Sequence, residues 1–464
     1  MGPEFRGCIC SSKRKSGSIK VLCKNSARQL DSMNRRTRRK SRQIGGILQQ
    51  QGSYGCGFFP GFKCKIDRFR DKNIFSKLMK THVAEKELQI VEHVKKADPN
   101  MKYCIYPYKM CHPSEDDMKE MIDEGLLKCA IVEHRDSEML LKMDFEANKY
   151  AILQQKYGGR SLDTYIQLFK NKNLTSGEIY KYFFLFSNIF KGLDHLHKQN
   201  IVHFDINDRN LVVSDSKMYL IDFGLSQNLK TYIPGNKSFD SESPFYFAKL
   251  YDPYPYDSLY IKGWSKLFEK SEEPKIDLRV LNEFVGLLYK SENDFIPKHV
   301  YMGEFYDDDF IPFTDFRDYI EMYENIFSNI LKLNQNNKKI ISTSIRNYLF
   351  KQVDVYSLGF TLCKLTYYLT KKEFTVDGKI RTAKKYGDSS SVPNDLVKDL
   401  YMLGIKMMHP DPLKRLSSTA ALIEYTEILK RMPIGKPITK IIDKVEGTSE
   451  GFDPYIILQS LLDI

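Results

Sequence analysis

The stretch "IVHFDINDRNLVV", residues 201–213, decides how the rest of the chain is read. It places His203, Asp205 and Asn210 within eight positions, and "LIDFGLS" follows with Asp222, Phe223 and Gly224. Phosphoryl transfer asks little covalent chemistry of a protein: a carboxylate beside the attacking hydroxyl, and oxygen ligands for a Mg²⁺ that bridges phosphates. Asp205 suits the first role as a base, and Asn210 and Asp222 suit the second, because hard Mg²⁺ takes such oxygens. Twelve positions separate Asn210 from Asp222. The short apolar runs "NLVV" and "MYLIDF" fill that interval as two strands and a turn, which returns both side chains to one cleft.

Upstream, "QQQGSYGCGF" gathers Gly52, Ser53, Tyr54, Gly55 and Gly57 after an apolar run. Glycines let a backbone approach phosphates and aim its N–H groups at them. "NIFSKLMK" reads as the next strand and carries Lys77, which can pair with phosphates if a helical carboxylate holds it. "AEKELQIVEHV" offers Glu85 or Glu87 for that purpose on a helix expected over residues 82–96.

The chain divides by pattern. Aromatic and β-branched runs with turn signals cover 46–80, and further strands are expected at 103–108, 128–133 and 150–155. From Ser161 onward the spacing turns helical, through "SLDTYIQLFKN", "SGEIYKYFFLFSNIFKGLDHLHKQN", "VDVYSLGFTLCKLTYYL" and the run from Pro393 to Met432. Helix-like stretches lie near 277–289 and 315–333. Asp354 is expected at the start of its helix, hydrogen-bonding the backbone of a loop. Arg415, after two prolines, suits a buried bidentate pair with a carboxylate.

Charge is segregated. Residues 1–44 hold thirteen Lys and Arg against two acidic residues, so nearly all of the formal +12 lies in this arm and the remainder is close to neutral. The arm lacks an apolar stripe and reads as a solvated, disordered tail suited to nucleic acid, an anionic membrane or an import receptor. Nine cysteines occur without a C-x-x-C pair, which indicates neither a zinc site nor a disulfide framework and fits a reducing compartment. No run of about 18 apolar residues occurs, so no transmembrane segment is expected.

Over residues 47–432 these motifs together resemble the protein kinase family. "GSYGCGF" is similar to its Gly-rich loop, Lys77 with Glu87 to its phosphate-binding pair, and "QQKYGGRSLDTYI" to its adenine hinge around Gln155 and Tyr157. "HFDINDRN" is similar to its catalytic loop, "DFG" is intact, and "DVYSLG" and "DPLKR" match later landmarks. The resemblance implies an α+β, two-lobed fold, with a small β-rich N-lobe over 45–157 and a larger helical C-lobe over 158–432. It also implies transfer of the γ-phosphoryl group of ATP, with Mg²⁺, to a protein hydroxyl, Ser or Thr. Asp205 and Lys77 would be catalytic; Gly52, Ser53, Tyr54, Gly55, Lys77, Glu87, Gln155 and Tyr157 would bind the nucleotide; Asn210 and Asp222 would hold the metal. The wording of these motifs, with the Arg-rich arm, is similar to divergent kinases of large DNA viruses. An intracellular location is expected, cytoplasmic or nuclear, or in a virion if the source is viral.

Departures from the family pattern are equally concrete. Gly57 stands where the family has a Val that packs on adenine, and Phe75 where it has a small Ala, a change expected to narrow the pocket. Phe204 replaces the Arg that contacts a phosphorylated activation segment, and Asn207 replaces the Lys typical of serine/threonine kinases. No A-P-E triplet follows "DFG", though "SPFYF" or "DPYPYDSLY" within 243–260 can take its place. Asp222 and Asp354 lie 132 positions apart where the family uses roughly 35 to 40, so a structured insert is expected at about 235–345. A C-terminal extension would occupy 433–464. A catalytically impaired scaffold, a small-molecule kinase of the aminoglycoside or choline type, and a nucleic-acid-binding protein are the alternatives.

Overall fold

The structure is a computed structural model that describes residues 47–51, 55–62, 64, 73–113, 121–122, 125–134, 136–170, 172–231, 338–374, 380–382, 392–409, 412 and 414–432. The basic arm, Gly52, Ser53, Tyr54, the stretches at 243–260, 277–289 and 315–333, most of the expected insert, and the 433–464 extension lie outside the described residues.

Five antiparallel strands form the first sheet, in the order β1-β2-β3-β5-β4. They are β1 (Ile47–Gln51), β2 (Gly55–Phe59), β3 (Ile74–Lys80), β4 (Lys109–Cys111) and β5 (Tyr150–Lys156). Helix α1 (Thr81–Ala97) leaves β3 directly and buries Ala84, Glu87, Val91 and Val94, one face at three- and four-residue steps. Helix α2 (Glu138–Glu146) precedes β5 and is capped by the Ser137 side chain, which accepts from Leu140 N–H.

Two expected strands are replaced. Over 103–108 the chain is pinned instead by Asp98, whose carboxylate accepts from the N–H groups of Lys102, Tyr103 and Cys104. A carboxylate that collects three successive N–H groups curls the backbone away from a flat ladder, and Pro107 lacks a donor for one. Only Cys104 forms a bridge there, to Leu220. Over 128–133 a 3₁₀ turn (Leu126–Lys128) and loop stand in place of a strand.

Disulfides account for part of this geometry, contrary to the expectation that the cysteines form no disulfide framework. Cys56 on β2 is bonded to Cys129, and Cys64 to Cys111 on β4, across 73 and 47 positions. Spacing along the chain could not indicate them, because each pair is assembled by the sheet and the loops on its back. Cys104 and Cys363 are free and buried.

The remaining elements are β6 (Arg160–Ser161), α3 (Leu162–Lys170), α4 (Ser176–Lys198), β7 (Ile201–Val202), β8 (Leu211–Val213), β9 (Met218–Leu220) and β10 (Gln227–Asn228). They are followed by α5 (Lys338–Thr370), the short hairpin β11 (Lys372–Phe374) and β12 (Ile380–Thr382), α6 (Asn394–Met407) and α7 (Ser418–Lys430). Strands β6, β8 and β9 form one small antiparallel sheet, and β7 pairs with β10. Helix α4 opens with a capping box in which Thr175 and Glu178 satisfy each other's backbone N–H. Its Phe183, Phe186, Ile189, Phe190 and Leu193 are buried in the main core, where Phe190 stacks on Tyr425 of α7 at 4.2 Å. Among the described residues no helix is long and apolar enough to cross a membrane.

Peptide mapping under non-reducing conditions is expected to recover linked Cys56–Cys129 and Cys64–Cys111 peptides. Closing loops of this length stabilises a domain by about 2–4 kcal/mol, so Cys56→Ser should lower the melting temperature; unlinked peptides would contradict the fold at this point.

Candidate active site

The 203–210 loop is held from beneath by one buried carboxylate. Asp354 is fully buried, its Oδ2 accepts from His203 N–H at 2.7 Å, and its Oδ1 accepts from Phe204 N–H at 2.7 Å. The His197 ring also reaches Oδ2, at 3.1 Å. The expected loop contact is therefore present, but Asp354 does not start its helix: α5 begins at Lys338, so the carboxylate acts from a helix interior and not from a cap. The extra turns ahead of it bury Leu349 and Phe350.

Phe204 turns into this apolar ground. It is 1% exposed, has φ of +61°, and its ring meets Phe350 edge-on at 5.3 Å. A side chain that the sequence marked as a missing Arg is thus an anchor for the loop's backbone.

Beyond Phe204 the backbone presents Asp205. Its Oδ1 accepts from the Asn207 amide at 2.9 Å and its Oδ2 from the Asn210 amide at 2.7 Å. Burial pushes the Asp205 carboxyl up to about 7, helped by the nearby Asp222 charge and opposed by the two amides. His203 is buried and held below the ordinary histidine range by desolvation. Its ring nitrogens contact the Ile221 carbonyl and the Asp205 N–H, so a neutral ring donating from Nε2 and accepting at Nδ1 satisfies both.

Lys77 connects this loop to the first sheet. Its Nζ lies 2.9 Å from Glu87 Oε2 and 2.7 Å from Asp222 Oδ1. Glu87 therefore fills the place that the sequence left open between two carboxylates: it is on the buried face of α1 and 2% exposed, whereas Glu85 is exposed. Burial alone would lower the lysine, but the two carboxylates override it and hold Lys77 above its usual range. Burial raises Glu87 against the pull of Lys77. Asp222 ends below the ordinary carboxylate range, because the Lys77 charge and hydrogen bonds outweigh its desolvation. Asp222 has φ of +64°, and Phe223 behind it is fully buried beside the His203 ring. Farther on, the Asn228 amide and the His93 ring of α1 meet at 2.9 Å.

Next to these groups lies a cavity of about 570 Å³ whose lining includes Phe75, Gln155, Tyr157, Val212 and Ile221. Gln155 and Tyr157 are thus brought to one cleft, as expected of a hinge; Tyr157 also stacks on Phe59 at 3.7 Å. Gly55 is buried on β2, where an added Cβ would lie 2.8 Å from the Leu78 carbonyl oxygen. The expected narrowing by Phe75 takes a specific form, since its ring lies over Gly57. Arg415 is buried, as expected. It donates from Nε to the His409 carbonyl and from Nη1 to the Gln352 carbonyl, with its guanidinium over the Tyr356 ring.

Sequence reasoning passed over Asn207 as a functional group and counted it only as a lost lysine. Its position two residues after Asp205 was the available signal, since an Asn there can turn back on the carboxylate.

Two oxygen donors at the cleft fit a hard divalent cation. Asn210 commits its amide nitrogen to Asp205, which leaves Oδ1 as its acceptor, and Asp222 engages Lys77 through Oδ1, which leaves Oδ2. Mg²⁺ is commonly held by one or two such protein ligands, with phosphates and water completing its shell.

Comparison with known proteins finds similarity to protein kinases over part of the chain. The model of the protein kinase domain matches residues 90–248. A probable serine/threonine-protein kinase of Dictyostelium discoideum is 29% identical over 115 residues, 24% of this chain and 13% of that protein. Sperm motility kinase 3A of Mus musculus is 26% identical over 214 residues, 44% of this chain and 41% of that protein. Serine/threonine-protein kinase B of Synechocystis is 27% identical over 139 residues, 28% of this chain and 23% of that protein. The chain thus spans less than half the length of each of these relatives.

A carboxyl raised in the folded state binds its proton more tightly there, so the Asp205 charge costs stability as pH rises from the unfolded value near 4 through 7. In nucleotide-free protein, Asp205→Asn is therefore expected to melt higher than wild type at pH 8, with the difference shrinking towards pH 5. A difference that grew on acidification would contradict the environment described.

Proposed function

We infer, from the support that the family match and the serine/threonine kinase relatives give to a protein kinase, that this chain uses ATP to phosphorylate a protein hydroxyl, Ser or Thr. The observation that carries the reading is the Lys77 ammonium between Glu87 and Asp222, with Asp205 held by two amides nearby. A scaffold without catalysis has no use for this full set in register.

In this reading residues 45–157 serve as the smaller lobe and 158–432 as the larger one, with the cleft between them for the nucleotide. Lys77, aligned by Glu87, turns its charge from Asp222 towards the phosphates when nucleotide enters. Mg²⁺ held by Asn210 Oδ1 and Asp222 would neutralise phosphate charge. Asp205 orients the acceptor hydroxyl and takes its proton as that oxygen bonds to the γ-phosphorus and the bond to the β-phosphate oxygen breaks. Asn207 and Asn210 keep both carboxylate oxygens in place for that step. The basic arm would serve as a separate contact for nucleic acid, an anionic membrane or an import receptor.

Phe204 bears on regulation. With an apolar anchor where the family has a phosphate-reading Arg, the loop is seated by packing on Phe350, so transfer is expected without phosphate on the segment after Asp222.

Radiolabelled transfer from ATP to a protein panel, with phosphoamino-acid analysis, tests the reading. Wild type should yield phosphoserine or phosphothreonine, before and after phosphatase treatment of the enzyme. Asp205→Asn and Lys77→Met should each lower the rate by at least 10²-fold, the usual scale for general-base and phosphate-clamp groups. Phosphate appearing only on metabolites, or equal rates in Asp205→Asn and wild type, would reject it.

A further inference from the structure

The wall of the 570 Å³ cavity has been rebuilt by two coupled departures in sequence. Gly57 pairs with Lys77 across β2 and β3, and Phe75 precedes Lys77 by two positions, so both face the cleft side of the sheet. A Cβ placed on Gly57 would overlap Phe75 Cζ and lie 2.9 Å from Cε2. The ring thus occupies the volume that a β2 side chain would take. Bulk has moved from one strand to its neighbour, and the glycine is what admits it.

The same cavity is lined by Val212 and Ile221, which belong to one small apolar cluster with Ile105. Gly158, also in the lining, lets the chain pass close to Val212, since its Cβ would lie 2.7 Å from a Val212 methyl. The cavity thus combines an aromatic ring with branched aliphatic side chains in its lining. Planar π-systems stack on such a ring, and base–aromatic stacking is a recurrent, sizeable part of nucleotide affinity.

We propose that Phe75 is the nucleobase-stacking and base-selecting residue of this cleft, and that Gly57 is its obligate partner, so that purine nucleotides are gripped by an aromatic wall. The inference rests on the nucleotide reading above and adds to it which residue discriminates the base. Because a purine offers the larger face to the ring, ADP should bind better than CDP or UDP, and that preference should reside in position 75.

The test uses the full chain and calorimetric binding of Mg·ADP, Mg·CDP and inorganic tripolyphosphate with Mg²⁺. Phe75→Ala should weaken Mg·ADP about tenfold or more, compress the ADP-to-CDP ratio, and leave tripolyphosphate unchanged, because the ring touches the base side only. Phe75→Leu, which refills the volume without a π-face, should lose the base preference while its melting temperature without nucleotide stays near wild type. Gly57→Val should lose Mg·ADP binding or melt early, since its side chain needs the ring's space. The pair Gly57→Val with Phe75→Ala should regain both.

Equal or tighter Mg·ADP binding by Phe75→Ala would mean that the ring obstructs the cavity or ignores the base, and overturns the proposal alone. A double variant no better than Gly57→Val overturns the partnership. Wild type that binds no nucleotide overturns the nucleotide reading and this inference with it.

Discussion

One ammonium group sits where three separate segments meet. Lys77 belongs to β3, Glu87 to α1 and Asp222 to the turn after β9, and the two contacts of 2.9 and 2.7 Å draw them to a single point. Glu87 is almost wholly excluded from solvent, so removal of the lysine would strand a buried charge, a loss of about 3–5 kcal/mol in comparable pairs. The position of α1 against the sheet, and of Asp222 against both, follows from that electrostatic requirement. The same charge keeps Asp222 ionised while burial and Asp222 itself raise Asp205. Two carboxylates in one cleft are thereby given different proton affinities, which is what the proposed metal-holding and proton-accepting roles require.

A second buried charge supports the first from below. Asp354 accepts two backbone N–H groups of the 203–204 segment from the interior of a 33-residue helix. Phe204 closes the same contact with apolar surface on Phe350. The proposed function needs Asp205 held in place, and a carboxylate under the backbone and an aromatic pair beside it supply that rigidity.

Much of the site was legible because its parts are local. Asp205, Asn210 and Asp222 fall within eighteen positions, joined by two short strands whose alternation is plain, and the structure brings them together at the expected cleft. The helix carrying Glu87 was equally plain, but which of two glutamates faced inward depended on its phase against β3, and that is a packing outcome. Asn207 was visible as a letter and not as a hydrogen bond. The strands expected at 103–108 and 128–133 failed for a related reason: β-branched and aromatic residues reported burial, while Asp98 and the Cys129 bond dictated the backbone path.

Sequence by itself determined the functional groups on offer, because the identity and order of Lys77, Asp205, Asn210 and Asp222 supply the ammonium, the carboxylates and the amide that the proposed function uses. It also determined that α1 and α4 would be helices, since the spacing of their apolar residues and the Thr175–Glu178 box are properties of the chain. Tertiary structure alone decided the rest. It placed Asp354 inside a helix, paired four cysteines across 47 and 73 positions, and laid the Phe75 ring over Gly57. Each of these joins residues far apart or on neighbouring strands, and such contacts depend on how surfaces meet, which no local pattern of residues encodes.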